Sequence, residues 1–136
     1  MILVDSSVWV DFFNGVDTPE VNALDGLLGS GRILIGDLIL AEVLQGFARD
    51  ADYRRARNLL ADIPCADLVG RDIALAAADN YRRLRRRGIT VRKTIDVIIG
   101  THCIVNHHEL LHSDRDFDPM EQALSLRIHG RHAMKR

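Results

Sequence analysis

The chain opens with Ile2-Leu3-Val4 and stops that apolar run with Asp5. A run this short, with no alternation of polar and apolar side chains, suits a strand buried on both faces, which is the habit of parallel sheets covered by helices. Ile33-Leu34-Ile35 repeats the pattern, and a third apolar run, Leu110 to His112, closes the series, with Cys65 to Val69 as a weaker candidate. Parallel neighbours need crossover connections, and the intervening segments read as helices. The resulting order, β-α-α-β-α-α-(β)-α-α-β-α-β, predicts an α/β sandwich around a mostly parallel sheet.

The helix signals are specific at several ends. Thr18-Pro19-Glu20 offers a capping hydroxyl, a proline for the first turn and an acid beside the positive end of the dipole. That helix runs toward Leu28 and stops at Gly29-Ser30-Gly31. A short amphipathic helix is expected over Val8 to Phe13, one capped by Asp37 carries Glu42, and one capped by Asp50 runs through Leu60 to end near Pro64. A long helix from about Arg71 to Arg87 aligns Ile73, Ala77, Tyr81 and Leu84 on one face, with Gly88 to end it. Thr94 to Asn106 reads as the next helix, Leu124 to Ile128 as a last short strand, and residues 129–136 as a polar tail. No repeat, linker or low-complexity segment interrupts the 136 residues, so a single domain over 1–136 is expected.

Four acids occupy the ends of these elements: Asp5 and Asp114 just past strands, Glu42 inside Leu38-Ile39-Leu40-Ala41-Glu42-Val43-Leu44, and Asp96 in Thr94-Ile95-Asp96-Val97-Ile98-Ile99-Gly100. Open α/β sheets bind ligands outside the carboxyl ends of their strands, and such an edge can gather all four. Carboxylates assembled there would suit a hard cation, Mg²⁺ or Mn²⁺. Each acid also has a plainer reading. Asp5 can cap a helix, Asp96 can complement a dipole, Asp114 belongs to the turn-like Ser113-Asp114-Arg115-Asp116-Phe117-Asp118, and Glu42 can face solvent beside Gln45 and Arg49. Three acids in that last stretch leave Asp116 or Asp118 as the companion of Asp114.

The net charge of −1 conceals a strongly basic stretch formed by Arg82, Arg83, Arg85, Arg86, Arg87, Arg92 and Lys93, which leads directly to Asp96. It suits either an ordinary exposed helix end or a cradle for RNA phosphates. Trp9 reads as core, and Phe12 and Phe13 as core or as a contact for a partner. Cys65 and Cys103 form no CxxC pair, so zinc and a disulfide framework are poorly supported. His107, His108 and His112 read better as polar residues at a corner than as metal ligands. With neither a signal-like leader nor a run long enough to span a bilayer, the expected location is cytoplasmic.

Taken together, Ile2-Leu3-Val4-Asp5-Ser6-Ser7-Val8-Trp9, Leu40-Ala41-Glu42-Val43-Leu44-Gln45-Gly46, Thr94 to Gly100 and Leu110-Leu111-His112-Ser113-Asp114-Arg115-Asp116-Phe117 resemble a PIN-domain ribonuclease, specifically a VapC-type toxin of a VapBC toxin–antitoxin pair. The resemblance covers nearly the whole chain. It implies a three-layer α/β/α domain with a mostly parallel central sheet and an acidic quartet of Asp5, Glu42, Asp96 and Asp114, with Asp116 as an additional acid. His112 stands where a threonine or a small residue is usual. It further implies a metal-dependent endoribonuclease that cuts structured RNA, transfer or ribosomal, and stops translation. The implied assembly is a homodimer inhibited by a VapB-type antitoxin in a heterotetramer or larger complex.

On that reading Asp5 and Asp96 hold the principal Mg²⁺ or Mn²⁺, with Glu42, Asp114 and Asp116 as further ligands or water positioners. Ser7 either bonds Asp5 or a water at the ion, or simply caps the helix. The products carry a 5′-phosphate and a 3′-hydroxyl. Competing readings are weaker. An aspartyl-nucleophile phosphatase usually has a second acid two residues after the first, where this chain has Ser7, and no GxGxxG follows the first strand. A non-catalytic RNA- or protein-binding module and a flap-type DNA nuclease remain as alternatives for biochemistry to separate.

Overall fold

The computed structural model describes residues 1–130, so residues 131–136 of the expected polar tail lie outside the described part. The described residues divide into two compact units, Met1–Asp67 with Leu111–Ser113, and Leu68–Leu110 with residues 114–130.

In the first unit the predicted strands form β1 (Ile2–Val4), β2 (Ile33–Gly36) and β3 (Cys65–Ala66). β1 pairs with β2 in parallel, Ile2 opposite Ile33, and β2 pairs with β3 in parallel, Ile35 opposite Cys65. The sheet order is β3-β2-β1-β4, where β4 is Glu109–Leu111. This unit contributes Leu111 to β4, and the carbonyl of Leu111 accepts a hydrogen bond from the Asp5 amide at 2.9 Å. All three residues of β1 and all four of β2 are buried, as expected of strands covered on both faces.

The helices of this unit are α1 (Ser6–Phe13), α2 (Pro19–Leu27), α3 (Asp37–Gln45) and α4 (Asp50–Ala61). α2 begins as its sequence dictates, with Thr18 Oγ1 accepting from the Val21 amide at 3.0 Å and Pro19 in the first turn. Two expected caps differ. Gly36, with extended backbone, is the cap of α3, and Asp37 is its first helical residue, bonding the Leu38 amide at 2.8 Å. Arg49 takes the same position before α4, leaving Asp50 and Asp52 to complement the dipole from the first turn. Trp9 is fully buried, stacked on Phe13 with centroids 6.0 Å apart and edge-on to Phe12 at 5.9 Å, so the core reading holds for it.

The second unit is built on α5 (Gly70–Arg86), α6 (Thr94–Asn106) and α7 (Asp118–Leu124). α5 buries Ile73, Ala77 and Leu84, and it ends in a reversal at Gly88, whose φ of +80° suits glycine alone. α6 occupies its predicted bounds and packs on α5, where Asn80 Nδ2 donates to Thr101 Oγ1 at 3.0 Å. Gly100 lies close to α7: a Cβ there would stand 2.6 Å from Met120 Sδ, so the methionine side chain would have to shift.

The expected strand over Leu124 to Ile128 does not form. Leu124 ends α7, Ser125 is left-handed at φ 62°, and only Ile128 makes a parallel bridge, to Leu110. The alternation that suggested a strand is nevertheless real, because Leu124, Leu126 and Ile128 are buried while Ser125 and Arg127 are exposed. Among the described residues no helix is long and apolar enough to cross a membrane.

Candidate metal centre and acidic residues

β1 ends at Val4, and the chain turns at once into α1 with Asp5 as the cap. Asp5 is 3% exposed. Its Oδ2 accepts from the Ser7 amide at 3.0 Å and from Ser7 Oγ at 2.6 Å. Ser7 Oγ in turn accepts from the Ser113 amide at 3.0 Å, so one hydroxyl links the carboxylate ending β1 to the segment following β4. Of the two readings of Ser7, the bond to Asp5 is the one that forms, and the cap is Asp5 itself. Capping and a chemical role are compatible in Asp5, because a fixed carboxylate orientation serves both.

Glu42 lies on the exposed side of α3, and Ser6 Oγ donates to its Oε1 in a short hydrogen bond. Sequence reasoning missed Ser6. Its position beside the capping acid was the available signal, but nothing local indicated a partner 36 residues away. His112, also in the first unit, is buried.

The second unit gathers Asp96, Asp114 and Asp116, each offering an oxygen within 4.8 Å of the others. The first turn of α6 supplies Asp96, which is 5% exposed. Asp114 caps a 3₁₀ turn over Arg115–Phe117 and accepts from the Asp116 amide at 2.9 Å. That turn brings Asp116 beside Asp114, whereas Asp118 begins α7 and lies outside the trio. Three carboxylates this close repel one another, and a divalent cation neutralises them. An all-carboxylate donor set fits a hard ion such as Mg²⁺ or Mn²⁺, not zinc. Arg92 approaches the group, its Nη2 3.5 Å from Asp116 Oδ1.

No other group of three or more histidines, cysteines or acids among the described residues converges in this way. His107 is left-handed and exposed at the end of α6. His108 tilts against His102 with centroids 5.9 Å apart, and partial burial, followed by nearby positive charge including Arg127, holds its pKa below the ordinary value. Cys103 is buried. Cys65 sits on the exposed strand β3, where partial desolvation and then the carboxylates of Asp37 and Asp67 push its thiol pKa up, which disfavours a reactive thiolate.

The basic residues Arg82, Arg83, Arg85, Arg86, Arg87, Arg92 and Lys93 are all exposed. Those in the last turn of α5 complement its dipole. Arg85 also lies over the Tyr81 ring, 5.7 Å from its centroid.

Comparison with known proteins gives the chain a family. The PIN domain profile matches residues 2–122. The ribonuclease VapC11 of Mycobacterium tuberculosis is 30% identical over 128 residues, covering 93% of this chain and 96% of its own. Among solved structures, the VapBC2 complex of Rickettsia felis, bound to a DNA fragment from its promoter, superposes with a TM-score of 0.75 at 18% identity, covering 95% of this chain and 98% of that one. VapC20 of M. tuberculosis, a toxin that cleaves the sarcin–ricin loop, gives a TM-score of 0.61 at 17% identity, with 87% of this chain and 93% of that one covered.

Proposed function

The chain belongs to the PIN domain family, and from that premise we propose that it is a divalent-metal-dependent endoribonuclease, the toxin of a type II toxin–antitoxin pair. The observation that carries this reading is the convergence of Asp96, Asp114 and Asp116, a donor set suited to Mg²⁺ or Mn²⁺. A divalent ion bound there would supply Lewis acidity for activating water and for neutralising phosphate charge. Asp96 would be a principal ligand, with Asp114 and Asp116 beside it as further ligands or water positioners. Asp5, oriented by Ser7, and Glu42, held by Ser6, are the other two acids on which cleavage depends. The exposed arginines between Arg82 and Arg92, together with Lys93, draw in the RNA backbone. Residues 1–136 act as one PIN domain, because the family match runs through both units.

The substrate in this reading is structured RNA, transfer or ribosomal, and its cleavage arrests translation in the cytoplasm. The support is kinship: VapC11 is a ribonuclease, and VapC20 cleaves the sarcin–ricin loop. A cognate VapB-type antitoxin restrains the enzyme, as the VapBC2 assembly suggests, with the toxin as a homodimer in a heterotetramer or larger complex. The test is incubation of the purified chain with total RNA in Mg²⁺ or Mn²⁺, followed by sequencing of the new ends. Discrete 5′-phosphate ends that disappear with Asp96→Asn support the proposal. Equal cleavage by Asp96→Asn, or none by the native chain with either ion, overturns it.

A further inference from the structure

Between α5 and α6, within the second unit, lies a cavity of about 400 Å³ that the acid cluster does not use. Its α5 side is made by positions three and four apart, so that Ala74, Ala77 and Ala78 give a floor of small side chains and Tyr81 a wall. Val97 and Ile98 of α6 close the other side. At one end the lining changes character: Arg82, Arg85 and Thr94 stand there, Thr94 opening the first turn of the 13-residue α6. Helical geometry places Thr94, Val97 and Ile98 on one face of α6, with Asp96 on the opposite face.

We propose that this cavity is a nucleotide subsite, taking the base of one RNA residue against the alanine floor and Tyr81 while Arg82, Arg85 and Thr94 receive its phosphate. The inference rests on the ribonuclease reading and deepens it, since a base pocket gives the enzyme a means of selecting its RNA. An apolar slot with an aromatic wall accepts the face of any base, because every base has a π-face to stack. Guanidinium groups and amides of a helix start suit a phosphate. Charge decides among occupants. Five arginines lie within Arg82–Arg87 and, among the described residues, no carboxylate lines the cavity, so a polyanion is favoured.

The test titrates the full chain, without divalent ion, with 5′-AMP, 5′-GMP, 5′-CMP and 5′-UMP, and follows amide and methyl resonances by NMR. Ribose 5-phosphate serves as the base-free control. At least one nucleotide should shift Ala74, Ala78, Val97 and Ile98 saturably, with ribose 5-phosphate binding about tenfold more weakly, the loss expected of one stacked base. Ala78→Leu, which fills the floor, should weaken the nucleotide about tenfold and leave ribose 5-phosphate unchanged. Should Ala78→Leu misfold, Arg82→Gln with Arg85→Gln provides the second reading, weakening both ligands.

Unsaturable shifts, equal binding of nucleotide and ribose 5-phosphate, or an Ala78→Leu variant altered only in self-association or in binding an acidic protein would each overturn the subsite. RNA cleavage without nucleotide binding removes this inference alone. Saturable binding without cleavage preserves the subsite and removes the nuclease reading.

Discussion

Arg92 Nη2 stands 3.5 Å from Asp116 Oδ1, so one acid of the candidate metal centre already has a cationic neighbour on the same unit. The arginine side chain is 81% exposed, which places the pair among weak surface contacts of up to ~1 kcal/mol. It is therefore easily displaced. Removing the guanidinium by Arg92→Gln should strengthen Mn²⁺ binding a few-fold, by about 0.5–1 kcal/mol. The same change should weaken RNA binding and lower its salt dependence by about one phosphate contact. Calorimetry of Mn²⁺ and a salt series of RNA binding check the two halves. Weaker Mn²⁺ binding in the variant would show that Arg92 supports the centre and does not compete with it.

Metal binding should also be visible as stability. Mn²⁺ that binds only the folded chain raises its melting temperature in proportion to the logarithm of concentration. Asp96→Asn should abolish that increase while making the metal-free protein no less stable, because one repelling charge is gone. Differential scanning calorimetry with and without Mn²⁺ measures both, and an undiminished Mn²⁺ response in the variant would contradict the ligand assignment.

Ser7 makes two bonds through one hydroxyl, donating to Asp5 and accepting from the Ser113 amide. Ser7→Ala should cost about 1–3 kcal/mol, since it removes a charged-acceptor bond and one partner of an amide. The Ser7 amide still holds Asp5 Oδ2 in the variant, so activity should fall further than stability accounts for only to the extent that the hydroxyl sets the carboxylate's orientation. Denaturant unfolding beside single-turnover cleavage at saturating Mn²⁺ makes the comparison. Native stability and rate in Ser7→Ala would leave the serine without a role.

Gly100 is a packing residue inside α6. Alanine there gains up to about 1 kcal/mol of helix propensity but forces buried Met120 to move, an overpacking cost of roughly 1–3 kcal/mol. Gly100→Ala should therefore destabilise by about 1 kcal/mol. Combining it with Met120→Ala should show favourable coupling in a double-mutant cycle. A stabilised single variant would mean that Met120 relocates freely.

His108 sets a pH dependence. Its pKa lies below the ordinary 6.5 in the folded chain, so the unfolded chain takes up the proton first as pH falls. This group costs nothing well above pH 6.5, and the folded state loses stability between 6.5 and its lowered value. His108→Gln should thus gain on the native chain as pH is lowered through that window. Parallel unfolding free energies from pH 8 to about pH 5 would exclude the effect.

Several elements were legible before the fold because their ends carry their own chemistry. Thr18-Pro19-Glu20 fixed the start of α2, and the polar residues bounding Ile95–Val105 fixed α6. Asp37 misled as a cap because glycine fills that position as well, through backbone alone. Leu124 to Ile128 misled for a different reason: period-two burial needs only alternate side chains turned inward, and a left-handed Ser125 achieves this without a strand. In the candidate site, the separate acids were visible one by one. The choice of Asp116 over Asp118 came from the family resemblance alone, because locally it depends on a 3₁₀ turn that ends just before α7 begins.

α6 presents Asp96 on one side and the walls of the cavity on the other. Its final turn carries Val105, 51% exposed and outside both groups. A spin label or fluorophore attached there would sense tilting of the helix from either cause, giving one reporter whose signals for ion and nucleotide can be compared in the same sample.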